Sequence, residues 1–75
     1  MSRLLRISGD ETIRRLVRLG FKQIRQRGSH VVLKKETPEG DIGCVVPLHK
    51  ELAIGTLNGI LKQAKLSVEE FIEHS

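Results

Sequence analysis

Phe21-Lys22-Gln23-Ile24-Arg25-Gln26-Arg27-Gly28-Ser29-His30-Val31-Val32-Leu33-Lys34-Lys35 is the stretch on which the fold turns. Two runs of strand-forming residues, 21–27 and 30–35, flank the dipeptide Gly28-Ser29. A two-residue loop with glycine first suits a type II′ hairpin turn, whose first central residue needs a positive φ. The turn sets the register: Arg27 faces His30, Gln26 faces Val31, Arg25 faces Val32, Ile24 faces Leu33 and Gln23 faces Lys34. Strict alternation then sorts Ile24, Val31 and Leu33 onto a core face, and Arg25, Arg27, His30 and Lys34 onto the other. Phe21 falls by the same count on the basic side, where it reads as a packing residue at the junction with the preceding element.

Upstream, Ser8 with Glu11 three residues later forms a capping box, and Asp10 suits the positive end of a helix dipole. Ile13, Leu16 and Val17 follow as a narrow apolar stripe, and Gly20 terminates a helix ending near Leu19. Downstream, Thr37-Pro38-Glu39-Gly40 carries turn chemistry, and Ile42–Val46 reads as a third strand stopped by Pro47. Leu48–Ala53 is a loop. Ile54, Leu57, Ile60, Leu61 and Ala64 mark a second helix ending near Leu66. A second capping box, Ser67 with Glu70, opens a short third helix anchored by Val68, Phe71 and Ile72. The order is α-β-β-β-α-α, an α+β class with a three-stranded antiparallel sheet and helices on one face.

Seventy-five residues make one domain with a thin core, with residues 1–7 as an N-terminal extension. Any site must lie on a face or in a shallow groove. The net charge of +4 is unevenly spread. Residues 1–35 carry ten Lys/Arg against two acids, and residues 36–75 carry three Lys against seven acids. A basic half of this kind fits nucleic acid or an acidic partner, or simply a solvated surface. One cysteine, Cys44, excludes a disulfide framework and a Cys-based metal site, and it alternates with Ile42 and Val46 as a core residue. The three histidines lack the spacing of a metal site, so neither metal nor small-molecule cofactor is expected. No run has the length of a signal peptide's apolar segment or of a membrane span, and the expected location is the cytoplasm.

Histidine chemistry is where function enters. His30 is either a reactive imidazole among cations or an ordinary surface histidine beside a turn. Ser29 belongs to the turn, since no acid completes a relay near it. His49, with Lys50, is either a partner acid–base or phosphate-holding group, or a loop residue capping backbone before the second helix. His74 reads as incidental. Arg14, Arg15 and Arg18 either track a nucleic-acid backbone or form a solvated helix face. The absence of Trp and Tyr argues against base stacking, and so for weak sequence preference.

Several segments taken in order narrow these choices. Leu19-Gly20-Phe21 and Arg25-Gln26-Arg27-Gly28-Ser29-His30 resemble the first part of HicA toxins (the YcfA family). Val45-Val46-Pro47-Leu48-His49, Ile54-Gly55-Thr56-Leu57 and Ile60-Leu61-Lys62-Gln63-Ala64 resemble the later part, and the likeness spans roughly residues 8–72. It implies a fold similar to a double-stranded-RNA-binding domain. It also implies metal-independent cleavage of mRNA and a HicB-like antitoxin partner, with no membrane. The family's essential histidine falls on His30, positioned by Gly28 and Ser29. Arg25, Arg27, Lys34, Lys35, His49 and Lys50 are the expected RNA contacts. The antitoxin is expected to cover the His30 face, helped by the acidic half of the chain, especially its second and third helices. The alternatives are an RNA-binding module without catalysis and a protein-interaction domain with a degenerate site.

Overall fold

The computed structural model describes residues 6–73. His74 and residues 1–5 lie outside that range. The elements are α1 (Gly9–Arg18), β1 (Lys22–Arg27), β2 (His30–Thr37), β3 (Gly40–Pro47), α2 (Ile54–Ala64) and α3 (Val68–Glu73). The sheet is antiparallel throughout, in the order β1-β2-β3. The expected α-β-β-β-α-α arrangement is therefore the observed one.

One apolar cluster holds the layers together. Ile13 and Leu16 of α1 and Leu57, Ile60, Leu61 and Ala64 of α2 meet Val31, Leu33, Cys44 and Val46 of the sheet, with Phe21, Leu52 and Phe71 closing the gaps. Ile7, ahead of α1, packs on this cluster too, and its carbonyl accepts from the Leu52 N–H at 2.8 Å. Burial of such side chains is what holds so small a domain, at about 1.5–3 kcal/mol each.

The caps behave differently at the two predicted boxes. Ser67 and Glu70 cap reciprocally, each side chain accepting from the other's backbone N–H (2.8 and 3.0 Å). At α1 only half the box forms: Ser8 Oγ accepts from the Glu11 N–H at 3.0 Å. The Glu11 carboxylate turns away to Arg14 (2.7 Å) and Arg15 (3.0 Å). Both guanidinium groups donate to it and hold its pKa below the usual carboxylate value. The apolar stripe of α1 also differs, because Val17 is 46% exposed. Thr12 takes the inward position instead, its hydroxyl satisfied by the Ser8 carbonyl at 2.9 Å.

The hairpin keeps its predicted register only near the turn. Arg27↔His30, Gln26↔Val31 and Arg25↔Val32 are paired as expected, but the register shifts between Gln23 and Arg25. Gln23 then opposes Leu33, and Lys22 opposes Lys34. Ile24 is the extra residue of a β-bulge, 54% exposed rather than in the core. One inserted residue flips everything before it to the other face. Phe21 therefore points inward, 2% exposed, instead of joining the basic face.

Candidate functional site

Helices cover one face of the sheet and leave the other open. Residues directly opposite on paired strands share a face, so the open face is read from the register. It carries Lys22, Arg25 and Arg27 from β1, and His30, Val32, Lys34 and Glu36 from β2. Val45 and Asp41 of β3 continue it, opposite Val32 and Glu36. On β2 the alternation is visible directly: Val31 and Leu33 are buried, while His30 and Lys34 are exposed.

His30 is held by the turn before it. Gly28 has φ 57° and Ser29 has no positive φ, the combination a type II′ turn requires. Gln26 braces the loop by donating from its side-chain amide to the Gly28 carbonyl at 2.9 Å. Across β2, His30 pairs with Pro47, and the Ser29 carbonyl accepts from the Leu48 N–H at 2.7 Å. The ladder thus runs past His30 into the segment that carries His49 and Lys50.

That segment is clamped from its other side by a residue sequence reasoning passed over. The Gly9 N–H donates to the His49 carbonyl at 2.9 Å. A Cβ on Gly9 would lie 2.1 Å from the Pro47 carbonyl oxygen, so no larger residue fits without moving the backbone. Nothing in the local sequence signals this, because a glycine opening a helix is unremarkable on its own. The result is that the hairpin turn, the 47–50 segment and the start of α1 converge at one end of the molecule. His30, Arg27, His49 and Lys50 are all exposed at that end.

The other expected contacts are less evenly placed. Arg25 and Arg27 are exposed on the His30 face and have no ion-pair partner among the described residues. Lys34 shares the face, but its ammonium lies 2.9 Å from Asp41, which raises its pKa. Lys35 belongs to the opposite face, with its ammonium 5.9 Å from the centre of the Phe21 ring. On α1, Arg14 and Arg15 are both occupied by Glu11, and Arg15 also lies 5.5 Å from the Phe71 ring centre. Arg18 is exposed and carries no ion pair among the described residues.

Among the described residues, no group of three or more His, Cys, Asp or Glu converges as metal ligands would. No described helix is long and apolar enough to cross a membrane. What the arrangement offers is an exposed imidazole beside unneutralised guanidinium groups, on a surface broad enough for an extended anionic chain.

The family model described as "HicA toxin of bacterial toxin-antitoxin" matches residues 9–66, from the start of α1 to just past α2. No curated protein matches the chain. Residues 9–66 contain the hairpin, the clamped 47–50 segment and both histidines at the open end. The chain belongs to the HicA toxin family, the toxin half of a bacterial toxin–antitoxin system.

Proposed function

We propose that the protein is an endoribonuclease that cleaves mRNA without a metal, with His30 as its catalytic residue. The observation that carries the reading is the cross-strand pair of Arg27 and His30, exposed at the end of the open sheet face. RNA supplies its own nucleophile. In the reaction, the ribose 2′-hydroxyl loses its proton and the 2′-oxygen bonds to the adjacent phosphorus. The 5′-oxygen then leaves with a proton, giving a 2′,3′-cyclic phosphate and a new 5′-hydroxyl. An imidazole titrates in the range needed to take or give that proton, a contribution of about 10²–10⁴-fold in rate. Guanidinium groups suit the phosphorane, because their paired donors match its oxygens while the charge builds. Arg27 is the nearest candidate by register, and Arg25 extends the cationic track.

As a toxin of this class the protein has an antitoxin partner. A HicB-like protein covering the open face around His30 would exclude RNA by occupying the same surface. A second reading is RNA binding without cleavage. It is favoured by one feature: no hydrogen bond orients the His30 ring among the described residues.

One experiment separates the two. Purified protein is incubated with RNA in EDTA, and the products are analysed for 2′,3′-cyclic phosphate ends. The parent cuts, and His30→Ala loses at least 10²-fold in rate while keeping the parent's circular dichroism. Cutting by His30→Ala at the parent's rate removes His30 from catalysis. RNA binding by the parent with no new ends leaves the module.

A further inference from the structure

At the other end of the open face lies a depression of about 210 Å³, lined by Gly20, Lys22, Ile24, Lys34 and Glu36. It is far larger than the ~30 Å³ share of one water molecule. Two like-charge pairs meet beside it: Lys22 opposes Lys34, and Glu36 opposes Asp41. Directly opposed like charges are unfavourable in a sheet. One diagonal ion pair, Lys34 to Asp41 at 2.9 Å, relieves half of each conflict. It leaves one ammonium, Lys22, and one carboxylate, Glu36, without an ion-pair partner among the described residues, both on the rim of the depression. On the side of Lys22 toward the hairpin turn, the bulge presents Ile24, an apolar surface 54% exposed on an otherwise polar strand.

We propose that this depression is a nucleobase subsite that selects guanine in a single-stranded RNA. Four chain steps along β2 separate His30 from Lys34, roughly 13 Å at strand rise, so the subsite lies a few nucleotides from the bond cut at His30. The inference rests on the reading of the open face as the RNA surface. Guanine is singled out by its pairing edge. That edge offers two adjacent N–H donors, N1 and N2, beside one acceptor, O6. A carboxylate accepts from both donors at once, and an ammonium donates to O6. Glu36 and Lys22 supply that set, while Ile24 provides an apolar surface for the ring. Adenine, cytosine and uracil each offer a single N–H site on the same edge, so a carboxylate holds them less well. Bases of unpaired RNA are commonly read in this way, on their Watson–Crick edges. A well-formed bidentate base contact discriminates by about fivefold to a hundredfold, and an exposed rim belongs at the lower end. The preference applies to one position, as expected of a protein without an aromatic stacking platform.

The test uses the whole protein and a set of unstructured RNA oligonucleotides. Each carries one guanine, moved one position at a time relative to a fixed cut, with inosine or adenine as replacements. The parent should show about fivefold faster cutting or tighter binding at one guanine position. Inosine, which lacks N2, should fall between guanine and adenine. Glu36→Gln should flatten this pattern, and Lys22→Gln should weaken it. Cutting that is equal at all positions and for all bases overturns the subsite while leaving the nuclease intact. A pattern that survives Glu36→Gln also overturns it, as does a Glu36→Gln effect confined to antitoxin binding. Failure of the parent to bind or cut any of the oligonucleotides defeats the RNA reading itself, and the subsite with it.

Discussion

Cys44 shows how strongly a single position in this small core is governed by its surroundings. It is 3% exposed on the inner face of β3, and burial pushes its thiol up to about 11. The thiolate is the reactive form of cysteine. At pH 8 the native protein should therefore resist iodoacetamide far better than its urea-unfolded form. The same shift ties stability to pH with a definite sign. The folded thiol holds its proton above the ordinary value near ~8.5, so its contribution is whole below pH 8.5. It is lost progressively as pH rises toward 11, where the unfolded chain is already ionised. Rapid labelling of the folded protein at pH 8 would contradict this burial. Glu11 shows the opposite case. It is lowered by Arg14 and Arg15, but it stays partly open to solvent, where screening reduces what such pairs contribute.

At the scale of the element, β1 teaches the most. Its exposed residues give almost no periodic signal, so the turn alone fixes where pairing begins. Gly28-Ser29 is local chemistry, and local chemistry is readable: Arg27 and His30 face each other as the turn requires. The bulge was not readable, because an inserted residue leaves no mark in alternation. Its reason is energetic. Strict alternation would bury Ile24 and leave the larger Phe21 in solvent, whereas one extra residue buries the aromatic ring. Substitutions at the two positions should therefore diverge. Ile24→Lys should change unfolding free energy by no more than about 0.5 kcal/mol, and Phe21→Ala should cost about 3–5 kcal/mol. Urea titration of both variants reads the difference directly. Equal costs would mean that Ile24 is packed after all. The Gly9 clamp was hidden for another reason. It joins residues about forty apart in sequence, and neither partner's neighbourhood announces the meeting.

Across the whole molecule, charge and shape separate in a way the net charge conceals. The +4 total would suit many proteins. Most acids, however, are either paired on the surface or gathered in α3, whose first turn holds Glu69 and Glu70. On the open face, Lys22, Arg25 and Arg27 stay without an ion pair among the described residues, and at its end Lys50 does too. Cations left free on one face bind a polyanion chiefly by releasing its counterions, which makes affinity depend steeply on salt. For single strands each phosphate contact contributes about −0.7 to the slope of log K against log[salt]. If Arg25 and Arg27 each hold a phosphate, their alanine variants should each make the slope shallower by ~0.7. Arg14→Ala should leave it unchanged, because Glu11 already occupies that guanidinium at 2.7 Å. Fluorescence anisotropy with a short unstructured RNA between 50 and 200 mM salt, the range over which such contacts are screened, measures all three slopes. An Arg14→Ala slope that falls while those of Arg25→Ala and Arg27→Ala hold would move the RNA from the sheet to α1.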